Sequence, residues 1–290
     1  MRDTLDALAA GELTPAEAEA RLRGYATADL SAGEPGASTG SDANGEADEA
    51  TANGGDPRSA LFDASRERRR GIPEGILAEG KTPAEVAALA DTALETTGRA
   101  LVTRADDRTA DRVRTYLDEK RPGAAVEQDA RARTLVARTS EFERPAVDAT
   151  VGVVTGGTAD AEAAGEAAVV AREAGPSVEL VEDVGVANLD RLLDAVPKLR
   201  GADCLVVAAG REGALPTVLA GLVDVPVIGL PVSSGYGAGG DGLAALLGLL
   251  QSCTVLSTVN VDAGFLAGSQ AALVARRVAD ARAPADPAKR

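Results

Sequence analysis

The chain has 290 residues, 45% of them hydrophobic, enough for one large or two small domains with a real core. A formal charge of −15 argues against nucleic acid as a partner, because phosphate backbones need a basic surface. Only 2% of residues are aromatic, so Ala, Val and Leu must do the packing, and no apolar run approaches the roughly 18–20 residues of a membrane span.

The four lysines are Lys81, Lys120, Lys198 and Lys289, and every other basic residue is arginine. An acidic, lysine-poor, Ala-rich chain suits a surface kept hydrated in concentrated salt, so a halophilic cytoplasm is expected. The amphipathic N-terminus lacks the apolar stretch of a signal peptide. There is no histidine, which removes the usual general base. Cys204 and Cys253 are the two cysteines, too few and too far apart for a disulfide framework or a structural zinc site.

In chain order, residues 1–26 read as a helix pair, with Leu5, Leu8, Leu13, Ala18 and Leu22 at helical spacing and a helix start at Thr14-Pro15-Ala16-Glu17. Residues 27–58 are Gly, Ser, Asp, Glu and Ala with almost no large apolar side chain, and a disordered insertion is expected there. Residues 59–146 form a small α/β domain suited to binding. It contains a basic cluster, a turn at Gly71-Ile72-Pro73, a helix start at Thr82-Pro83-x-Glu85, a strand over Ala100–Arg104, a helix over Asp107–Leu117 and a strand pair across 124–138.

From 147 to 281 the pattern is regular, with a flexible tail expected over 282–290. Apolar runs at 150–154, 178–181, 204–208, 225–230 and 255–261 alternate with Ala-rich helical segments at 159–174, 187–196, 214–221, 241–250 and 263–279. Such alternation predicts an α/β domain, a parallel sheet covered on both faces, with ligands at the carboxyl ends of the strands.

The strand-end loops carry the candidate chemistry. Thr155-Gly156-Gly157-Thr158 with Asp160 would present free N–H groups to a phosphate or carboxylate, or simply turn the chain and cap a helix. Gly210 opens a loop in which Glu212 is a candidate acid or base, or a solvated carboxylate. Ser233-Ser234-Gly235-Tyr236-Gly237 forms the next loop, and Asn260 with Asp262 closes the sheet, where a plain helix cap is an equal reading. Cys204, within an apolar run, reads as buried and inert, whereas position alone leaves Cys253 open between structural and reactive.

These pieces carry a resemblance. Thr155–Asp160, Ala209-Gly210 with Ala214-Leu215-Pro216, Pro226 to Ser234, and Asn260 to Gly268 resemble the phosphoribosylaminoimidazole carboxylase (PurE-type) fold. The LarB family of nickel-pincer cofactor biosynthesis is more similar still. It is carried by Val181–Val186, Gly210–Pro216, Ser234–Ala238, Leu250–Cys253, Arg70–Glu74 and Glu79–Thr82. The resemblance implies a three-layer α/β/α, flavodoxin-like domain behind a small α/β domain. It implies carboxylation of the pyridinium ring of nicotinate adenine dinucleotide with CO2 or bicarbonate, and cleavage of its phosphoanhydride. Cys253 would be the nucleophile, Glu182, Asp183 and Glu212 acid–base or metal-water groups, and Arg70, Lys81 and the Thr155–Asp160 loop phosphate contacts. Mg2+ would arrive through the substrate phosphates, and the fold implies a homo-oligomer, an octamer built as a tetramer of dimers. One departure stands out: Phe62-Asp63-Ala64-Ser65-Arg66 occupies the place where the family resemblance leads one to expect a histidine. The alternatives are a purine-pathway carboxylase or mutase, and a nucleotide-binding regulator without catalysis.

Overall fold

The computed structural model describes residues 2–30 and 59–283, which fall into two compact units. The expected insertion, from residue 31 on, and the tail from 284 lie outside the described residues.

Of the described residues, the first unit comprises 2–30, 59–70, 74–128 and 135–142. It opens with α1 (Arg2–Ala9) and α2 (Pro15–Arg23). The predicted helix start forms a capping box: Thr14 Oγ1 accepts from the Glu17 N–H at 3.3 Å, and the Glu17 carboxylate accepts from the Thr14 N–H at 2.7 Å. Next come β1 (Ala26–Asp29) and β2 (Ser59–Phe62), an antiparallel pair. Residues 27–29, assigned above to the linker, are therefore strand: Ala28 is fully buried in the unit's core, and the small side chain that made the segment look coil-like is what fits there.

The unit continues through α3 (Arg66–Arg70), β3 (Gly75–Leu77), α4 (Pro83–Thr97), β4 (Arg99–Thr103), α5 (Asp107–Lys120), β5 (Ala125–Asp129) and β6 (Thr134–Arg138). Its sheet runs β3-β4-β6-β5, with β3 parallel and β6 antiparallel to β4. Thr82 and Glu85 repeat the capping box at the head of α4.

Of the described residues, the second unit comprises 71–73, 129–134 and 143–283. It runs β7 (Val147–Thr155), a short 3-10 turn (Thr158–Asp160), α6 (Ala161–Glu173), β8 (Pro176–Val181), α7 (Leu189–Leu199) and β9 (Cys204–Ala209). Then follow α8 (Ala214–Ala220), β10 (Val227–Pro231), α9 (Leu243–Leu250), β11 (Ser257–Thr258) and α10 (Gly264–Arg282). All five strands are parallel, in the order β11-β10-β9-β7-β8. β9 and β10 are buried along their whole length, as continuous apolar runs require.

α6 and α10 cover one face of this sheet through Ala163, Ala167, Ala267 and Ala271, while α7 and α8 cover the other through Leu192, Leu199, Leu215 and Leu219. The near-absence of aromatics is met by close approach: a Cβ on Gly268 would stand 2.3 Å from the Ala167 carbonyl oxygen. The strand order reverses between β7 and β9, so the loops after these two strands meet at the topological switch point, where open α/β sheets bind their ligands.

Candidate functional site

At the carboxyl edge of the second unit the loops converge on one side chain, Asp160. It is 5% exposed. Its Oδ2 accepts from the Gly157 N–H at 2.9 Å and its Oδ1 from the Ser234 hydroxyl at 3.0 Å. Burial pushes its pKa up, and hydrogen bonds from Gly157, Ser234, Gly210 and Gly156 offset that only in part. One carboxylate thus ties the loops after β7, β9 and β10 together.

The glycines make this approach possible. A Cβ on Gly210 would stand 2.5 Å from Ser234 Oγ, and one on Gly185 would stand 2.5 Å from the Gly156 carbonyl oxygen. Thr155 is buried, and its Oγ1 accepts from the Asp183 N–H at 3.0 Å, which fixes the loop after β8. Asp262 Oδ1 accepts from the Ser233 N–H at 2.9 Å, while Asn260 Oδ1 accepts from the neighbouring Val261 N–H. Asp183, Arg211, Asp241 and Asp262 all hold left-handed backbone, with φ between 54° and 57°. Non-glycine residues in that region concentrate where a site over-determines the chain.

Two N–H groups of the glycine loop are engaged by the protein itself. The Gly156 N–H donates to the Ala208 carbonyl at 3.1 Å and the Gly157 N–H to Asp160, so both donors are committed within the protein. Thr158 is exposed, and its carbonyl accepts from Arg131 at 3.0 Å.

The candidate acid–base residues separate. Glu182 pairs with Arg131 at 3.0 Å and Asp183 pairs with Arg191, all four side chains being well exposed. Glu212 is exposed and, among the described residues, makes no ion pair. No group of three or more His, Cys, Asp or Glu that could hold a metal ion occurs among the described residues. Arg211, absent from the sequence-derived candidates, sits with its guanidinium 4.5 Å from the ring centroid of Tyr236. Its sequence signal is the charged pair Arg211-Glu212 directly after Gly210 at a strand end.

The two cysteines differ as expected from their surroundings. Cys204 is fully buried in β9, and desolvation pushes its thiol up to about 12, which leaves it inert. Cys253 is exposed and free. It lies beyond α9, which runs back from the carboxyl edge toward the start of β11. Its neighbours are moored to the body of α8: the Thr217 hydroxyl bonds Ser252 Oγ at 3.0 Å, and Thr254 Oγ1 donates to the Thr217 carbonyl at 3.2 Å. Within one chain, therefore, Cys253 stands at the amino-terminal side of the sheet, away from the loop cluster. Arg70 and Lys81 belong to the first unit, both exposed; the Lys81 ammonium donates to the Leu77 carbonyl at 2.8 Å. In the segment that lacks the expected histidine, Asp63 accepts from Ser65 and Arg69.

Five parallel strands in this order, with strand-end loops gathered at the switch point, define a doubly wound α/β domain. Residues 150–286 match the AIR carboxylase family, and residues 55–139 match the LarB/PurE-like N-terminal domain. The chain is 34% identical over 220 residues to the uncharacterized protein MJ0165 of Methanocaldococcus jannaschii, covering 74% of this chain and 83% of that relative. A solved structure of a Treponema denticola PurE2 variant overlaps 49% of this chain and 83% of its own length, with 20% identity and a TM-score of 0.36. The protein belongs to the LarB family, with a PurE-type C-terminal domain behind the LarB/PurE-like N-terminal one. Its domains are those of carboxylase-type enzymes. No helix among the described residues is long and apolar enough to cross a membrane.

Proposed function

We propose that the protein carboxylates the pyridinium ring of nicotinate adenine dinucleotide at C5 through a transient Cys253 adduct. It then hydrolyses the phosphoanhydride, giving pyridinium-3,5-biscarboxylate mononucleotide and AMP for nickel-pincer cofactor synthesis. The observation that carries this reading is a carboxylase domain in a chain without histidine whose exposed thiol is free.

The chemistry suits those residues. A pyridinium ring is electron-poor and does not attack CO2. Addition of the Cys253 thiolate para to the ring nitrogen forms a C–S bond and moves an electron pair into the ring, making C5 an enamine-type nucleophile. C5 then bonds to CO2, its proton passes to a base, and the C–S electrons leave with sulfur as aromaticity returns. Cysteine serves because it is both nucleophile and leaving group. Glu212, exposed and outside any ion pair among the described residues, is the best-placed of the candidate carboxylates to take the proton. Glu182 and Asp183 serve instead to hold the loops through Arg131 and Arg191.

Because Cys253 and the loop cluster occupy opposite edges of one sheet, we propose that a second copy delivers the thiol. The surface around Cys253 supports this. Leu243, Leu247 and Leu250 of α9 are 51–60% exposed, and Val255 is 95% exposed, an apolar stripe flanking the cysteine of the kind that copies of a chain cover in each other.

The test is mass spectrometry of the reaction with nicotinate adenine dinucleotide, Mg2+ and 13C-bicarbonate, run beside Cys253→Ala. A labelled dicarboxylated mononucleotide with AMP, absent from the variant, is the expected result. Folded wild-type protein that yields no such product sinks the reading, and aminoimidazole ribonucleotide becomes the substrate to try.

A further inference from the structure

We infer that Arg211 is a specificity-determining residue, which reads the carboxylate of an aromatic acid at the carboxyl edge of the second unit and is held for that purpose over Tyr236. The inference rests on the functional reading above and deepens it, since it names which feature of the substrate is recognised and by what.

Four observations meet at this point. First, the guanidinium lies over the Tyr236 ring at 4.5 Å, although Tyr236 is itself 79% exposed. Two exposed side chains hold each other in place with no help from a core. Second, the backbone is built for that contact. Arg211 adopts left-handed φ of 55°, and a Cβ at position 235 would stand 3.1 Å from the Arg211 nitrogen, so glycine at 235 lets the two loops close. Third, Arg211 makes no ion pair with a carboxylate among the described residues, whereas Arg131 and Arg191 each have one, with Glu182 and Asp183. Fourth, the glycine loop that would otherwise receive an anion has turned two of its N–H groups inward onto Ala208 and Asp160. An anionic group arriving at these loops therefore meets in Arg211 a guanidinium that no carboxylate holds in an ion pair.

The guanidinium fork matches a carboxylate with two parallel hydrogen bonds, and stacking on an aromatic ring orders it before binding. A substrate phosphate offers the same negative charge, so the experiment must separate the two sources. Nicotinate and nicotinamide adenine dinucleotides do so, because they share both phosphates and differ only in the ring carboxylate.

Titration calorimetry of the full-length protein with each dinucleotide, for wild type, Arg211→Gln and Tyr236→Leu, is the test. Losing a charge-assisted pair is expected to weaken nicotinate dinucleotide binding about 10- to 100-fold in Arg211→Gln while nicotinamide dinucleotide binding stays unchanged. Tyr236→Leu, which keeps the charge and removes its platform, shifts the same ratio by a smaller factor and serves if the arginine variant misfolds. A nicotinate-to-nicotinamide ratio equal to wild type in both variants overturns the proposal and leaves the functional reading standing. Equal weakening for both ligands assigns Arg211 to phosphate and overturns it as well. Wild-type protein that binds neither dinucleotide removes the functional reading and this inference with it.

Discussion

Asp160 illustrates how one side chain sets the geometry of loops far apart in sequence. Its two oxygens accept from the Gly157 N–H and the Ser234 hydroxyl. Burial raises its pKa above the ordinary carboxylate value, which fixes the sign of its effect on stability. The unfolded chain releases this proton first as pH rises, so the group's contribution to folding declines from the unfolded pKa up through the raised folded one, then levels off. At neutral pH the ionised carboxylate thus costs stability while it shapes the site. Asp160→Asn removes the buried charge but also half of the acceptor capacity that the loops rely on. The expected outcome at pH 7 is a melting temperature equal to or above wild type, with turnover of the dinucleotide down about 100-fold, the order of loss that follows a small misplacement of site groups. Thermal denaturation and turnover measured side by side decide it. A variant that melts several degrees lower yet turns over normally would make Asp160 a mere structural brace.

The elements of the second unit were legible because parallel strands buried on both faces read as unbroken apolar runs. The run predicted over 204–208 is β9 at Cys204–Ala209, and 150–154 falls inside β7. β11 shows the limit: the run over 255–261 yields a strand of two residues, because Val255 points to solvent and Thr254 is tied to α8 instead of the sheet. β1 shows the converse, since alternating small residues at 26–29 carried no strand signal until β2, some thirty residues on, supplied a partner. The site was legible only as a set of glycine-bearing strand ends. Which oxygen closes onto which N–H is a long-range matter, and nothing local in the sequence ties Asp160 to Ser234, 74 residues away.

The glycines of α10 were likewise visible without their reason. At Gly268 a Cβ would meet the carbonyl oxygen, Cα and carbonyl carbon of Ala167 at 2.3–3.0 Å, all backbone atoms with nowhere to yield. Gly268→Ala should therefore cost about 3 kcal/mol or more, at the upper end for overpacking. Gly237→Ala is the control: no atom lies within 4 Å of its would-be Cβ, and only its φ of 87° objects, at about 1–2 kcal/mol. Urea denaturation of the two variants separates them. Equal costs would mean that α10 shifts freely on α6 and that this packing is looser than the geometry implies.

At the scale of the whole molecule the decisive question is whether one chain contains a complete site. Parallel topology sends every loop that follows a strand to one edge and every loop that follows a helix to the other. The residues from Thr155 to Tyr236 gathered around Asp160 belong to the first edge, and Cys253 to the second. No rotation of a side chain crosses a sheet, so a reaction that needs both must draw them from two copies. This has a quantitative consequence for mixed assemblies. Cys253→Ala lacks the thiol but keeps sound loops, and Asp160→Asn keeps the thiol but has disturbed loops, so each alone is expected to be inactive or nearly so. Co-expressed in equal amounts and assembled at random, half of all loop sets are sound, and half of those meet an intact thiol from a neighbour. Activity should then return to about a quarter of wild type, since identical subunits exchange residues across their interfaces without preference. A site completed within one chain predicts no recovery at all, because every chain in the mixture carries one defect or the other. Turnover of co-purified, differently tagged variants, normalised to total protein, therefore distinguishes a shared site from a self-contained one in a single measurement.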